Sequence, residues 1–160
     1  MGGKTTAMVA LAVAVLFAAG ATADAQKRKR PQKKKTKKAD ENISAVLGDY
    51  NVKYEAIADN CTQTGMSLRK GKVTLADDKK LGFHVSIAMA PVMYGGDPKE
   101  GKFRVATKLG GTGIQGVLGK YSASGRVNDG VIQFVYIAEY FTNSKKPMCT
   151  QSWNASGVKD

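Results

Sequence analysis

Few side chains in this 160-residue chain are suited to catalysis or to metal binding. His84 is the only histidine, and Ser86 shares its face on a predicted strand. A zinc site needs several imidazole or thiolate ligands, and a common type of serine nucleophile stands on a strand-to-helix elbow. The sequence offers neither pattern, so we predict a non-enzymatic protein with no catalytic residue, no metal and no cofactor. The rival hypothesis is a small secreted hydrolase that uses Ser86 or Glu139 with His84.

Residues 111–116 (GTGIQG) reproduce the G-x-G-x-x-G spacing of dinucleotide-binding loops. That loop works where a strand meets a helix, because the helix N-terminus faces the pyrophosphate. Residues 117–127 have the pattern of a strand instead. We therefore interpret these glycines as turn and bulge residues.

Glu139 lies in the most apolar of the predicted strands, residues 131–141 (VIQFVYIAEYF). If its face points into the fold, the carboxylate needs a partner, since burial penalises its charged form. That partner would be a ligand's hydrogen-bond donor or an inward-facing Arg104 or Arg126. Gln133 shares the same face, which favours the simpler interpretation that this face is turned towards solvent.

Cys61 and Cys149 are the only two cysteines. In an exported protein, two cysteines usually form one disulfide. We therefore predict a Cys61–Cys149 bond, with the Cα atoms about 4.4–6.8 Å apart. On the chain-entropy account, closing so long a loop would stabilise the fold by about 4–5 kcal/mol.

The N-terminal residues predict export. Lys4 supplies a positive charge, residues 7–19 form an apolar run, and Ala23-Asp24-Ala25 has the small-x-small pattern of a signal-peptidase site. An apolar run of about 13 residues is shorter than the roughly 20 that a membrane-spanning helix needs. We predict that residues 1–25 are a cleaved signal peptide. The mature protein would be periplasmic or extracellular, with a signal of bacterial type.

The net charge of +12 is concentrated in one segment, residues 26–38. Like-charge repulsion predicts that this tail is disordered. It is either a solvated spacer or an attachment to an anionic surface such as phospholipid, lipopolysaccharide or acidic polysaccharide. We do not expect nucleic acid as a partner, because the protein is predicted to be exported and the tail has no aromatic side chain for base stacking. Its basic residues are Lys27, Arg28, Lys29, Arg30, Lys33, Lys34, Lys35, Lys37 and Lys38.

After the tail, the sequence has the pattern of an all-β domain. Residues 39–47 are predicted as a short helix or turn, with Asp40 as its N-cap. Short runs of alternating apolar and polar residues then follow one another between glycine-rich turns. Seven or eight such strands predict a single small antiparallel β-barrel over residues 48–157, or alternatively a β-sandwich. Residues 113–127 fit one strand or two.

The two cysteines favour the barrel. Cys61 lies just after the first predicted strand, and Cys149 lies near the start of the last one. If those two strands pair antiparallel, these ends are neighbours and the sheet closes on itself. A simple meander closes only with an even number of strands, which favours dividing residues 113–127 into two. We therefore predict a closed barrel of eight strands.

Gly48-Asp49-Tyr50, at the start of the first strand, resembles the Gly-x-Trp opening of lipocalins and related calycin barrels, with tyrosine in place of tryptophan. The resemblance covers this tripeptide and the strand pattern. The length of the domain is nearer to that of avidin-like barrels. The resemblance implies a closed barrel that binds a ligand.

We therefore expect an exported binding module with no enzymatic activity. It would hold an apolar or amphipathic small molecule, or a protein partner, at one barrel mouth, and its basic tail would serve anionic surfaces. The alternatives are the secreted hydrolase and a structural envelope protein without a ligand. The candidate ligand-binding residues are Tyr50, Tyr54, Tyr136, Glu139, Tyr140 and Trp153.

Overall fold

The computed structural model describes residues 43–62 and 64–160. The predicted signal peptide and basic tail lie outside the described residues, as does Asp40. Within the predicted helix or turn, residues 43–46 form one helical turn, in which the Leu47 backbone N–H donates to the Ile43 carbonyl at 3.2 Å.

Nine strands make up most of the remaining described residues. The long strands β1, β7, β8 and β9 form one continuous part of the sheet, and the shorter strands β2 to β5 complete it. Their bounds are β1 Gly48–Asp59, β2 Lys70–Asp78, β3 Gly82–Ile87, β4 Met93–Gly95, β5 Lys102–Ala106, β6 Gly110–Gly111, β7 Val117–Asn128, β8 Val131–Thr142 and β9 Pro147–Lys159.

The sheet closes on itself. The strand order is β5-β4-β3-β2-β1-β9-β8-β7-β6, every pairing is antiparallel, and β5 also pairs with β7. Strands β1 to β5 and β7 to β9 therefore form a ring of eight, while the two-residue β6 pairs with the start of β7. The predicted all-β antiparallel barrel is confirmed, and the sandwich alternative is not adopted.

The eighth strand of the ring comes from a different place than the sequence suggests. We expected residues 113–127 to divide into two strands, but β7 runs unbroken over Val117–Asn128. The even number is supplied by β4, whose three residues Met93–Gly95 lie between the β3 and β5 strands. Three residues carry too little alternation to be recognised as a strand.

The barrel interior is filled because large side chains lie opposite small ones on neighbouring strands. Phe134 is paired with Gly125 on β7 and with Ala155 on β9, and Tyr140 is paired with Gly119. A Cβ atom at Gly125 would overlap Phe134, and one at Gly119 would overlap the Tyr121 hydroxyl. This alternation of large and small residues is how small barrels pack their cores.

The two ends of the barrel are built from different connections. The helix end holds residues 43–48, the β2–β3, β4–β5 and β7–β8 turns, and the C-terminus. The disulfide end holds four connections, residues 60–69, 88–92, 107–116 and 143–146. This assignment follows from the antiparallel order, since each successive strand of the ring reverses direction.

Candidate functional site at the disulfide end of the barrel

Five of the six residues expected to bind a ligand lie inside the barrel, where they fill it. Tyr50, Tyr54, Tyr136, Tyr140 and Trp153 are between 0 and 7% exposed. Four of them belong to a core of packed rings rather than to an open mouth. The geometry therefore gives these side chains a packing role, and the accessible surface for a partner lies elsewhere.

The aromatic packing includes a residue that the sequence analysis did not single out. Tyr121 stacks on Tyr136 with ring centroids 6.5 Å apart and contacts Tyr140 edge-to-face at 6.2 Å. Trp153 stacks on the other face of this group, 5.5 Å from Tyr136. The sequence signal for Tyr121 is that it alternates with Gly119 and Ala123 on one face of residues 113–127, where these small residues leave room for large neighbours.

Three buried tyrosine hydroxyls have no hydrogen-bond partner among the described residues: those of Tyr54, Tyr136 and Tyr140. Burial raises the pKa of Tyr140 to about 12 and raises the pKa of Tyr54 and Tyr136 well above that of a free phenol. All three are therefore neutral at physiological pH. Tyr50 differs, since its hydroxyl donates to the Val46 carbonyl at 2.6 Å and ties the helical turn to the barrel.

The disulfide end is closed by the segment 61–69 (of which Gln63 is not described). The predicted disulfide is confirmed: Cys61 and Cys149 are bonded, with Cα atoms 5.2 Å apart. Met66 and Leu68 pack against the core from this segment. The bond joins the segment to the start of β9, so the predicted closure of the first strand against the last is also confirmed.

A single buried amide fastens the same segment. Gln151, only 2% exposed, accepts a hydrogen bond from the Met66 backbone N–H at 2.7 Å. Its amide nitrogen donates to the Met66 carbonyl at 3.1 Å and to Asp59 Oδ2 at 2.9 Å. The Cys61 backbone N–H and the Gln151 amide hold the pKa of Asp59 below its usual value. The segment is thus held by both a covalent and a polar attachment.

Glu139 is the sixth expected ligand-binding residue, and it lies on the outside. Its carboxylate pairs with the Lys120 ammonium at 3.5 Å. The interpretation that Gln133 marks a solvent-facing side is therefore correct, and Glu139 does not join the tyrosines. Arg104 and Arg126 also point outwards and are exposed.

The three residues of the hydrolase hypothesis do not form one group. His84 Nδ1 lies 3.0 Å from the Gly82 carbonyl of its own strand, and its ring contacts Tyr94 at 5.8 Å. Strand β3 lies opposite β8 in the ring, and Glu139 points outwards from β8. The barrel therefore separates Glu139 from His84, whereas Ser86 stays two residues from His84 on the same face of β3.

The predicted turn at residues 111–116 is present. Gly113 and Gly116 have positive φ angles of 85° and 81°, and the Thr112 hydroxyl donates to the Val117 carbonyl at 3.0 Å. The turn leads into β7 and not into a helix. Within the described residues, no group of three His, Cys, Asp or Glu side chains is placed to hold a metal ion.

The surface of the disulfide end combines exposed apolar side chains with unpaired cations. Two carboxylates lie near this end: Asp59 is engaged by Gln151, and Glu139, which is level with Asn60 through Thr150, pairs with Lys120. Five further cations form no ion pair within the described part of the chain. The exposed apolar residues are Ile57, Met89, Val92, Ile114 and Met148, and the cations are Arg69, Lys70, Lys108, Lys145 and Lys146.

The helix end differs because its cations lie among carboxylates. Lys72 on the adjoining strand bridges Asp49 at 2.9 Å and Asp160 at 3.1 Å. The carboxylates at this end are Asp49, Asp77, Asp78, Asp97, Glu100, Asp129 and Asp160, and the cations are Lys72, Lys79, Lys80, Lys99, Lys102, Arg126 and Lys159. Sequence reasoning missed this difference because it depends on the end of the barrel at which each residue lies.

The fold and this surface define a class: a small closed antiparallel β-barrel with a filled interior and one cationic, apolar-tipped end. No protein-family model matches the chain, and comparisons with curated proteins and with solved structures give no match. None of the described helical residues forms a helix long and apolar enough to cross a membrane.

Proposed function

We propose that this protein is an exported, non-enzymatic binding module that acts through its outer surface. The observation that supports this proposal most directly is the filled interior, in which the aromatic residues expected to meet a ligand pack against one another. One depression of the described surface lies on the outside, over β7, β8 and β9 near Arg126, Gln133 and Asn154. A surface partner fits this geometry better than an enclosed ligand.

The proposed location is the periplasm or the extracellular space. The Cys61–Cys149 disulfide is consistent with an oxidising compartment. The proposed partner is an anionic envelope component, because the tail and the disulfide end both present cations with few neighbouring acids. Electrostatic attraction between exposed cations and an anionic surface is sufficient for such contacts.

A second candidate function is favoured by one specific observation, the three unpartnered hydroxyls of Tyr54, Tyr136 and Tyr140. Buried polar groups are normally hydrogen-bonded. A small guest with acceptor atoms would satisfy them, as the calycin resemblance implies. That guest would need the interior side chains to rearrange, which is why we rank this candidate second.

Two measurements on the mature chain, produced in an oxidising host, separate these functions. Native mass spectrometry is expected to give the mass of the protein alone, and beads coated with phospholipid, lipopolysaccharide or acidic polysaccharide are expected to retain it, unlike neutral beads. A stoichiometric small-molecule adduct would favour the second candidate. Absence of both adduct and adsorption would favour the structural envelope protein.

A further inference from the structure

The four connections at the disulfide end form one surface because the barrel topology brings them together. Each long strand of the ring begins or ends there, so residues 60–69, 88–92, 107–116 and 143–146 surround the same opening. The disulfide and the Gln151 hydrogen bonds fix residues 61–69 across that opening. One of the four connections is therefore fastened both covalently and by hydrogen bonds.

Several apolar side chains of this surface are strongly exposed to solvent. Met89 is 78% exposed, Ile57 is 54% exposed, and Ile114 and Met148 are each nearly half exposed. Met89 also has a φ of 68°, a left-handed conformation that residues with a Cβ seldom adopt. The fold thus holds a large apolar side chain outwards. Of the nine exposed large apolar side chains in the described residues, five lie at this end, against Leu81, Val131 and Val158 at the helix end. Clusters of exposed apolar groups are typical of interaction sites.

The charged groups of the same surface are cationic. Lys108 lies in the connection that carries Ile114, and Lys145 and Lys146 precede Met148. The two carboxylates near it are already engaged, since Asp59 accepts two hydrogen bonds and Glu139 pairs with Lys120. Exposed cations are thus interspersed with exposed apolar tips, and little negative charge offsets them.

One partner matches both properties. An acidic polysaccharide or nucleic acid would engage the lysines and leave the apolar tips in water. An anionic lipid bilayer takes both, because lysines attract its headgroups while apolar side chains enter the boundary between headgroups and acyl chains. Lysine stems can also lie along that boundary with the ammonium group in water.

We propose that the disulfide end docks on an anionic lipid bilayer, with Met89, Ile114 and Met148 entering the interface and the surrounding lysines contacting headgroups. This inference rests on the proposed surface-binding function and names its partner. It also assigns the contact to the barrel and not only to the basic tail.

Insertion is tested by placing a fluorophore at each end of the mature chain. Met89→Trp reports on the disulfide end, and Leu81→Trp is its matched control, since Leu81 is 58% exposed in the β2–β3 turn at the helix end. With vesicles of phosphatidylglycerol and phosphatidylcholine, we expect a blue shift and quenching by brominated lipid for Met89→Trp only. Trp153 is buried in the core and supplies a constant background in both variants.

Charge dependence is tested by two triple variants with the same change in net charge. Lys108→Gln/Lys145→Gln/Lys146→Gln alters the disulfide end, and Lys79→Gln/Lys80→Gln/Lys99→Gln alters the helix end. Each lysine near a bilayer contributes about fivefold in affinity, so a vesicle titration followed by the Met89→Trp blue shift, which reports on the disulfide end and not on the tail, should show about hundredfold weaker binding for the first variant. The second should change binding by less than about twofold at physiological salt, where distant charges are screened.

The possible outcomes distinguish failure of the bilayer docking from failure of the proposed surface-binding function. Vesicle binding that is equally sensitive at both ends, or quenching of Leu81→Trp, would overturn the docking orientation and leave surface binding intact. Retention on polysaccharide beads without binding to vesicles would replace the bilayer with a carbohydrate partner. Absence of binding to every anionic surface would overturn both proposals.

Discussion

At the scale of single residues, the buried tyrosines differ in whether their hydroxyl groups have a hydrogen-bond partner. Tyr50 is fully buried and its hydroxyl has a backbone acceptor in Val46. Tyr136 is equally buried and its hydroxyl has none. The two residues therefore make a matched pair in which ring packing is similar and hydrogen bonding differs.

Replacing each of these tyrosines by phenylalanine should have opposite effects on stability. Tyr50→Phe should lower the free energy of unfolding by about 1 kcal/mol, because it leaves the Val46 carbonyl buried without its donor. Tyr136→Phe should raise it by about 1 kcal/mol, because it removes a hydroxyl whose burial no hydrogen bond offsets. Urea unfolding of the disulfide-bonded protein measures both values.

The opposite sign at Tyr136 would be informative. A loss of stability in Tyr136→Phe would mean that this hydroxyl is hydrogen-bonded in solution to a guest inside the barrel. That result would support the second candidate function, and Tyr54→Phe should then behave in the same way.

At the scale of elements, the segment 61–69 decides whether the barrel is open or closed. It has few apolar residues, so its position depends on the disulfide and on the Gln151 amide. The amide satisfies both the N–H and the carbonyl of Met66, which no strand pairing would otherwise satisfy. A single side chain therefore substitutes for missing sheet hydrogen bonds.

Gln151→Leu should weaken this closure. The change removes three hydrogen bonds from a buried site, so we expect the free energy of unfolding to fall by about 3 kcal/mol. Hydrogen exchange at Met66 should accelerate as the segment opens locally. The matched control is Gln133→Leu on the outer face of β8, where an exposed change should stay within about 0.5 kcal/mol. Unchanged exchange at Met66 would show that the disulfide alone holds the segment.

At the scale of the whole molecule, charge is divided along the barrel axis. At the disulfide end cations outnumber carboxylates, whereas at the helix end the two are balanced. The basic tail, which precedes the described residues in the sequence, is a second cationic feature. Two separate cationic features are able to engage two anionic surfaces.

This arrangement predicts that the mature protein brings anionic vesicles together. Light scattering should rise when the mature chain is mixed with phosphatidylglycerol-containing vesicles and fall again at high salt. Deleting residues 26–38 should abolish this clustering and leave the thermal unfolding midpoint nearly unchanged, since the tail lies before the folded barrel. A truncated chain that clusters vesicles as well as the mature chain would show that the tail is only a spacer.

Strand alternation and the two cysteines were enough to predict an antiparallel barrel closed by a Cys61–Cys149 bond, with a sandwich as the alternative. For β8, Gln133 favoured the face of Glu139 as the outer one, but Tyr136 and Ile137 are both apolar, and a period of two alone does not choose between them. The closed sheet decided this, by placing Ala123 and Trp153 beside Tyr136.

The surface at the disulfide end depended on the tertiary structure even more. Its apolar tips and lysines are scattered between residues 57 and 148, and no local pattern connects them. The three-residue β4 adds one reversal of chain direction between β3 and β5. The number of such reversals decides at which end of the barrel each later connection lies. Local sequence patterns predict the individual strands. Whether the number of strands in the ring is even depends on the whole chain, so the candidate site could be recognised only from the closed barrel.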